Sequence, residues 1–322
     1  MSVAGPFFVA GTARCGTSHL VRVLGEHPEV YGLERESRFL VDPGGFEDLV
    51  RALTVAYTPY HADDALRRLA WLLNERLTGQ SSEAFRGWSL ADEIGQDSYG
   101  DAVDKLWGQL SWYEFDEVVP PLSHQYGRWQ YAPGEARACR RVVARYYPDR
   151  GELIAILRDF ILDLFGGVAS RAGKRTWCEK TPLNLLSIPF LRELFPEAMI
   201  VVIMRHPYKV AVSHLDQPWT PSTIDGVLNW LDPIYRRWLA QRSALLNDPG
   251  YVEVKAERIA AEWPDSRREL FERIGLPNTE TQSTFSSSRL AHHDTQLGAD
   301  QWSQIFTRLR WAAEELGYEP AR

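Results

Sequence analysis

PFFVAGTARCGTSHLVRVLGEHPEVYGLERESRFL, residues 6–40, is where the fold of this chain is set. Phe7-Phe8-Val9-Ala10 is a short apolar run of the kind shown by a strand buried on both faces of a parallel sheet. Gly11-Thr12-Ala13-Arg14-Cys15-Gly16-Thr17-Ser18 follows as a turn of mostly small residues. From His19 onward, Leu20, Val23 and Leu24 recur at helical spacing until Gly25 and His27-Pro28 stop the helix. Strand, glycine turn and helix in that order aim several backbone N–H groups and the positive end of a helix dipole at one point. Such a point binds a phosphate.

The two glycines have the spacing of a Walker A loop, G-x-x-x-x-G followed by two more residues. Ser18 stands where that loop has its hydroxyl, but Thr17 occupies the lysine position and Arg14 lies inside the turn. Without the lysine, a magnesium nucleoside triphosphate loses its β/γ-phosphate clamp. An arginine in the turn suits a phosphate that carries no metal, because its planar fork supplies paired donors. An ordinary strand-to-helix turn, with glycines that only relieve crowding, is the alternative reading of the pattern taken alone.

The chain has 322 residues, 44% hydrophobic and 25% charged, the profile of a globular protein with a large core. A net charge of -7 disfavours general nucleic-acid binding. Three cysteines, Cys15, Cys139 and Cys178, make no disulfide framework, and no Cys/His spacing suggests zinc, so a reducing cytoplasm is the expected home. The first ten residues lack the basic and apolar regions of a signal peptide. No run of about 18 or more apolar residues offers a membrane span.

Beyond the first helix, Val30–Leu33 is a short strand with the charged cluster Glu34-Arg35-Glu36-Ser37-Arg38 just past its end. Ligands of open α/β sheets sit outside the carboxyl ends of strands, which makes a carboxylate there a candidate base. Residues 48–77 are helical with a break near Thr58-Pro59-Tyr60, and Leu66, Leu69, Leu72 and Leu73 form a core stripe. Residues 88–131 carry Trp88, Tyr99, Trp107, Trp112, Tyr113, Phe115, Tyr126, Trp129 and Tyr131 among acidic residues. They are either a pocket wall for an acceptor or helices packed on the sheet through aromatic side chains.

Residues 151–165 are a helix, and Trp177-Cys178-Glu179-Lys180-Thr181-Pro182 begins a new unit. A helix at 185–195 precedes Ala198–Met204, the strongest buried strand in the chain. Arg205-His206-Pro207 ends that strand, and the helix from Tyr208 holds Ser213 in its second turn, a second anion site. Helices at 222–247, 261–274 and 301–316, and a strand at 251–254, complete the alternation, with Ser286-Ser287-Ser288-Arg289 as a polar stretch in the tail. Strands alternating with helices over nearly the whole length predict one α/β domain with a parallel sheet.

Three of these patches resemble one family, the sulfotransferases that use 3′-phosphoadenosine 5′-phosphosulfate (PAPS), nearest the branch of protein tyrosine and heparan sulfate sulfotransferases and their bacterial relatives. Gly11, Thr12, Ala13, Arg14, Cys15, Gly16, Thr17 and Ser18 resemble the loop that holds the 5′-phosphosulfate. Arg205 and Ser213, eight residues apart, resemble the 3′-phosphate site. Lys180 falls where relatives carry a Lys-x-Pro segment, and Glu36, nine residues after His27, falls on their catalytic carboxylate; Glu34 does not keep that distance. Ala256 replaces the tyrosine that relatives often place before Glu257.

The resemblance implies a P-loop-like three-layer fold, with a central parallel sheet flanked by helices. It implies a single domain over 1–322, with a variable, helical, aromatic-rich acceptor-side insert at about 41–175. It also implies a PAPS-dependent enzyme (EC 2.8.2.-) that moves a sulfuryl group to a hydroxyl, less readily an amine, of a small hydroxylated acceptor, with no metal. In that scheme Glu36 is the general base, Lys180 and Arg14 offset charge on the bridging oxygen and departing phosphate, and Arg205 and Ser213 hold the 3′-phosphate. A sugar hydroxyl or peptide tyrosine is the second choice of acceptor. The rival readings are a P-loop small-molecule kinase and a nucleotide-binding relative without catalysis. Thr17 and the lack of a strand ending in Asp argue against the first, and retention of both Glu36 and Lys180 against the second.

Overall fold

The structure, a computed structural model, describes residues 5–78, 89–119, 122–125, 128–131, 137–285 and 297–319. The chain forms two compact units, Met1–Ser37 with Phe165–Arg322, and Arg38–Leu164. In chain order it begins with β1 (Phe7–Ala10), α1 (Thr17–Gly25) and β2 (Val30–Gly32). The second unit follows with α2 (Phe46–Leu53), α3 (Pro59–Thr78), α4 (Leu90–Ile94) and α5 (Gln96–Leu110). Its strands are β3 (Ser111–Val119), β4 (Leu122–Gln125), β5 (Arg128–Tyr131) and β6 (Arg137–Ala144), and α6 (Arg150–Ile161) leads out of it. The chain returns through a π-helical turn (Leu162–Gly166), α7 (Gly167–Arg171), β7 (Thr176–Lys180), a 3₁₀ turn (Pro182–Leu186) and α8 (Ile188–Leu194). It ends with β8 (Met199–Met204), α9 (Pro207–Leu215), α10 (Ile224–Leu245), β9 (Tyr251–Lys255), α11 (Ala256–Ala261), α12 (Asp265–Arg273) and α13 (Ala299–Glu315).

In the first unit all five strands are parallel, in the order β2-β7-β1-β8-β9. Phe7 pairs with Cys178 on one side and Met199 on the other, so β1 lies at the centre. Every residue of β1 is buried, as its unbroken apolar sequence requires when both faces are covered. Phe7 and Val9 share one face with Val201, Ile203 and Val252, packed under Leu20 and Leu24 of α1, Ile259 of α11 and Phe271 of α12. Phe8 faces the other way, edge-on to Trp177 at 5.4 Å, and Trp177 meets Phe165 at 5.1 Å and Phe195 at 5.6 Å. This is the three-layer fold with a central parallel sheet. From β1 the chain moves to one side to reach β2 and later returns on the other to form β8. That reversal is the switch point at which such sheets bind ligands.

The second unit is helical at its ends, with an antiparallel ribbon between. Phe39, Phe46 and Phe160 pack together at 5.3–5.7 Å. β3 pairs with β6, and β4 with β5. The expectation that 41–175 is a helical insert therefore needs correction, since 111–119 and 137–144 form a β-ribbon. On it Trp112 and Tyr113 are 64% and 62% exposed, so these aromatics do not pack helices onto a sheet. Arg140 pairs with Glu114 and Asp116, and Arg141 with Glu117 and Asp63, so facing carboxylates neutralise this part of the basic run. Trp88, Tyr126 and the polar stretch Ser286–Arg289 lie outside the described residues.

Two helices also differ from expectation. The 185–195 segment is split at Ser187, because Pro189 fits the first turn of a new helix, where its missing N–H breaks no bond. The 261–274 segment breaks at 262–264, where Pro264 has no N–H to continue the ladder from α11.

Candidate active site

The site is built at the carboxyl ends of β1, β2, β7 and β8. Gly11 leaves β1 with its N–H donating to the carbonyl of Pro182 at 2.9 Å, which fastens the loop to the turn after β7. A Cβ on Gly11 would lie 2.4 Å from Cys15 Sγ and 2.8 Å from the Ile203 carbonyl, so no side chain fits there. Ala13 and Arg14 are both left-handed, at φ 59° and 52°, and Gly16 follows at 108°. Left-handed residues other than glycine cost energy and concentrate at functional sites; here they turn the backbone into a concave nest.

Gly16 caps α1 with no side-chain hydrogen bond, so the helix presents its positive end to the nest. Arg14 and Ser18 are exposed, Ala13 and Gly16 partly so, and Gly11, Thr12, Cys15 and Thr17 are buried. Burial pushes the Cys15 thiol up to about 11, so its side chain is core rather than ligand. Its contribution to the loop is its backbone.

β8 delivers Arg205. His206, whose Nδ1 accepts the Tyr208 N–H at 3.3 Å, caps α9, with Pro207 in the first turn. One turn further on, Ser213 is buried, and its hydroxyl accepts a hydrogen bond from Arg14 Nε at 3.2 Å. Arg205 Nη1 donates to the Arg14 carbonyl at 3.0 Å. Arg14, Arg205 and Ser213, read from two distant patches of sequence, thus meet at one place. Glu257 braces it by accepting the His206 N–H at 2.8 Å and the Tyr318 hydroxyl at 3.1 Å. Next to Ser213, His214 is held low, to about 4, chiefly by burial and further by the charges of Arg14 and Arg205.

β7 delivers Lys180, whose side chain is 4% exposed. Its Nζ donates to Glu36 Oε1 at 2.7 Å and to Ser18 Oγ at 3.0 Å. The carboxylate in contact with Lys180 is that of Glu36, while Glu34 is exposed. Lys180 therefore joins the Glu36 segment to the start of α1.

Glu179, which no motif in the sequence marks as a site residue, is fully buried and accepts from Ser37, Thr181 and Asn184. The signal was an acid directly after Trp177-Cys178 in TWCEK, a strand that is buried along its whole length. His27 has a structural place: it is buried, accepts the Glu29 N–H at 3.1 Å and donates to the Pro277 carbonyl at 3.0 Å. Among the described residues no group of three or more His, Cys, Asp or Glu is arranged to hold a metal, and no helix is long and apolar enough to cross a membrane.

The sequence profile of the sulfotransferase family matches residues 111–280, more than half of the chain. The chain belongs to the sulfotransferase family. A stretch of 94 residues is 30% identical to the nodulation protein NoeE of Sinorhizobium fredii (strain NBRC 101917 / NGR234), covering 29% of this chain but only 22% of NoeE. Among solved structures, the sulfotransferase domain from the curacin biosynthetic pathway superposes with a TM-score of 0.50 at 13% identity, over 100% of both chains. The sulfotransferase domain of the Synechococcus PCC 7002 olefin synthase gives 0.49 at 15%, over 99% of this chain and 98% of that one. The first of these likenesses shows the fold.

Proposed function

We propose that this protein transfers a sulfuryl group from PAPS to a hydroxyl group of a small acceptor, with Glu36 as general base. The observation that carries the reading is the chain Glu36–Lys180–Ser18, a carboxylate 2.7 Å from a buried ammonium that is itself 3.0 Å from the hydroxyl in the first turn of α1. Its donors suit the nucleotide. The nest at Ala13–Gly16, the uncapped start of α1 and Arg14 fit a 5′-phosphosulfate, and buried Arg205 with Ser213 fits a second phosphate.

In the transfer, Glu36 takes the acceptor's proton as the new oxygen–sulfur bond forms and the bond from sulfur to the bridging oxygen breaks. Lys180 and Arg14 offset the charge left on the 5′-phosphate. Thr17, Ser18 and the loop N–H groups bind its oxygens, Cys15 through its backbone alone. Arg205 and Ser213 bind the 3′-phosphate, which separates this donor from ATP without touching the chemistry. The protein's contribution is placement and charge, as in phosphoryl transfer, and no metal enters the reading. The segment at about 41–175 is assigned to acceptor choice within a single catalytic domain. A hydroxylated metabolite is the first choice of acceptor, with a sugar hydroxyl or peptide tyrosine second. Three free cysteines suit a reducing cytoplasm.

The test is incubation with PAPS and a panel of phenols, alcohols and amines, with mass-spectrometric detection of sulfated product and released 3′-phosphoadenosine 5′-phosphate (PAP). Glu36→Gln is expected to lower kcat by about 10²–10⁴-fold while PAP binding stays close to wild type. Unchanged turnover in that variant removes Glu36 from the role of base.

A further inference from the structure

Glu179 and Ser37 have no part in the transfer just described, yet they are among the most completely buried polar residues of the chain, both 0% exposed. Oε1 of Glu179 accepts the Ser37 N–H at 3.1 Å, the Ser37 hydroxyl at 2.8 Å and the Thr181 hydroxyl at 2.7 Å. Oε2 accepts from Asn184 Nδ2 at 2.7 Å. A buried acid is tolerated only when its oxygens are satisfied, and here the donors come from two separate segments. Burial pushes the carboxyl up, and the hydrogen bonds oppose that shift.

Successive side chains of a strand point to opposite faces, so β7 ends with Glu179 and Lys180 directed apart. The 36–37 dipeptide meets both. Glu36 rests on Lys180 and Ser37 on Glu179, a clasp of two consecutive contacts between the same two segments. Ser37 is held at both its N–H and its hydroxyl, which leaves the residue before it little freedom. From this geometry we infer that Glu179 is a positioning residue, which through Ser37 holds the Glu36 carboxylate against Lys180. The inference rests on the roles given above to Glu36 and Lys180.

Asn184 Oδ1 is buried without a hydrogen-bond partner. A glutamine at 179 therefore keeps the clasp: its carbonyl takes the place of Oε1, and a turned Asn184 amide accepts from its NH₂. Alanine at 179 removes the Ser37–Glu179 half of the clasp, and Ser37→Ala removes one of the two bonds from Ser37 to Glu179.

The experiment measures kcat and donor KM for wild type, Glu179→Gln, Glu179→Ala and Ser37→Ala, together with thermal midpoints and amide hydrogen exchange at residues 36–37. Glu179→Ala is expected to lose roughly 10- to 100-fold in kcat, with donor KM within about threefold. Ser37→Ala is expected to lose less in the same direction, and Glu179→Gln to recover most of the rate. Exchange at position 37 rises in Glu179→Ala and stays slow in Glu179→Gln. A folded Glu179→Ala or Ser37→Ala protein with wild-type kcat overturns the inference, as does a loss confined to KM. Where Glu179→Ala does not fold, Ser37→Ala against Glu179→Gln decides. Failure of the wild type to bind PAP or turn over PAPS defeats the sulfuryl-transfer reading instead. The clasp is then judged on exchange alone, where unchanged protection in the alanine variants overturns it.

Discussion

Two buried side chains show how position sets chemistry at the scale of the residue. Cys15 stands inside the nest proposed to hold a phosphate, where a thiolate would repel an anion. Burial resolves the conflict by pushing the thiol up to about 11. A thiol-specific reagent applied to the native protein at pH 8 is expected to react at half-buried Cys139 and to spare Cys15 and Cys178; rapid labelling of Cys15 would contradict this.

His214 shows the opposite sign. Its folded value of about 4 lies below the ordinary 6.5, through burial first and then the charges of Arg14 and Arg205. Between pH 6.5 and 4 the unfolded chain binds the proton more readily, so acidification through that window removes up to about 3 kcal/mol of stability. Thermal midpoints at pH 7 and pH 4.5 are expected to fall less in His214→Phe than in wild type, and equal falls would remove His214 from the acid response.

Among the elements, the β1–loop–α1 unit depends on the missing side chain of Gly11. In Gly11→Ala the new Cβ meets a backbone carbonyl at 2.8 Å, which cannot swing away as a side chain does. We expect a loss of about 1–3 kcal/mol in stability, read by urea unfolding, and a loss of PAP affinity as the nest shifts. A variant with wild-type stability and affinity would show the loop to be more pliable than its geometry implies.

This unit was legible in the sequence because each signal is local: an apolar run for β1, glycines for the turn, helical spacing for α1. The β3–β6 ribbon was not legible. A strand announces itself by alternation only when one face is buried, and in WYEFDEV both faces carry exposed aromatics and acids. Its partner strand, whose Arg140 and Arg141 form ion pairs with those acids, begins only at Arg137, beyond a separate hairpin. The Glu179 clasp was invisible for a similar reason, since its four donors come from Ser37, Thr181 and Asn184, and only the fold brings Ser37 to the strand end.

For the whole molecule, strand order turns scattered motifs into one site. β1 at the centre, with β7 and β8 on either side, brings Arg14, Lys180 and Arg205 to the same edge of the sheet, although the last two lie far along the chain from the first. The order of the motifs pointed to this arrangement, whereas the direct contacts of Arg14 with Ser213 and Arg205 emerged only from the structure. Calorimetric titration with PAP, against AMP and ATP as controls, on wild type and Arg205→Ala reads the donor site itself. Binding is expected to be tight, to require the 3′-phosphate and to weaken by at least about tenfold in the variant, the scale of one charge-assisted contact. Equal or tighter binding of ATP, dependent on Mg²⁺ and indifferent to Arg205, would contradict the sulfuryl-transfer reading.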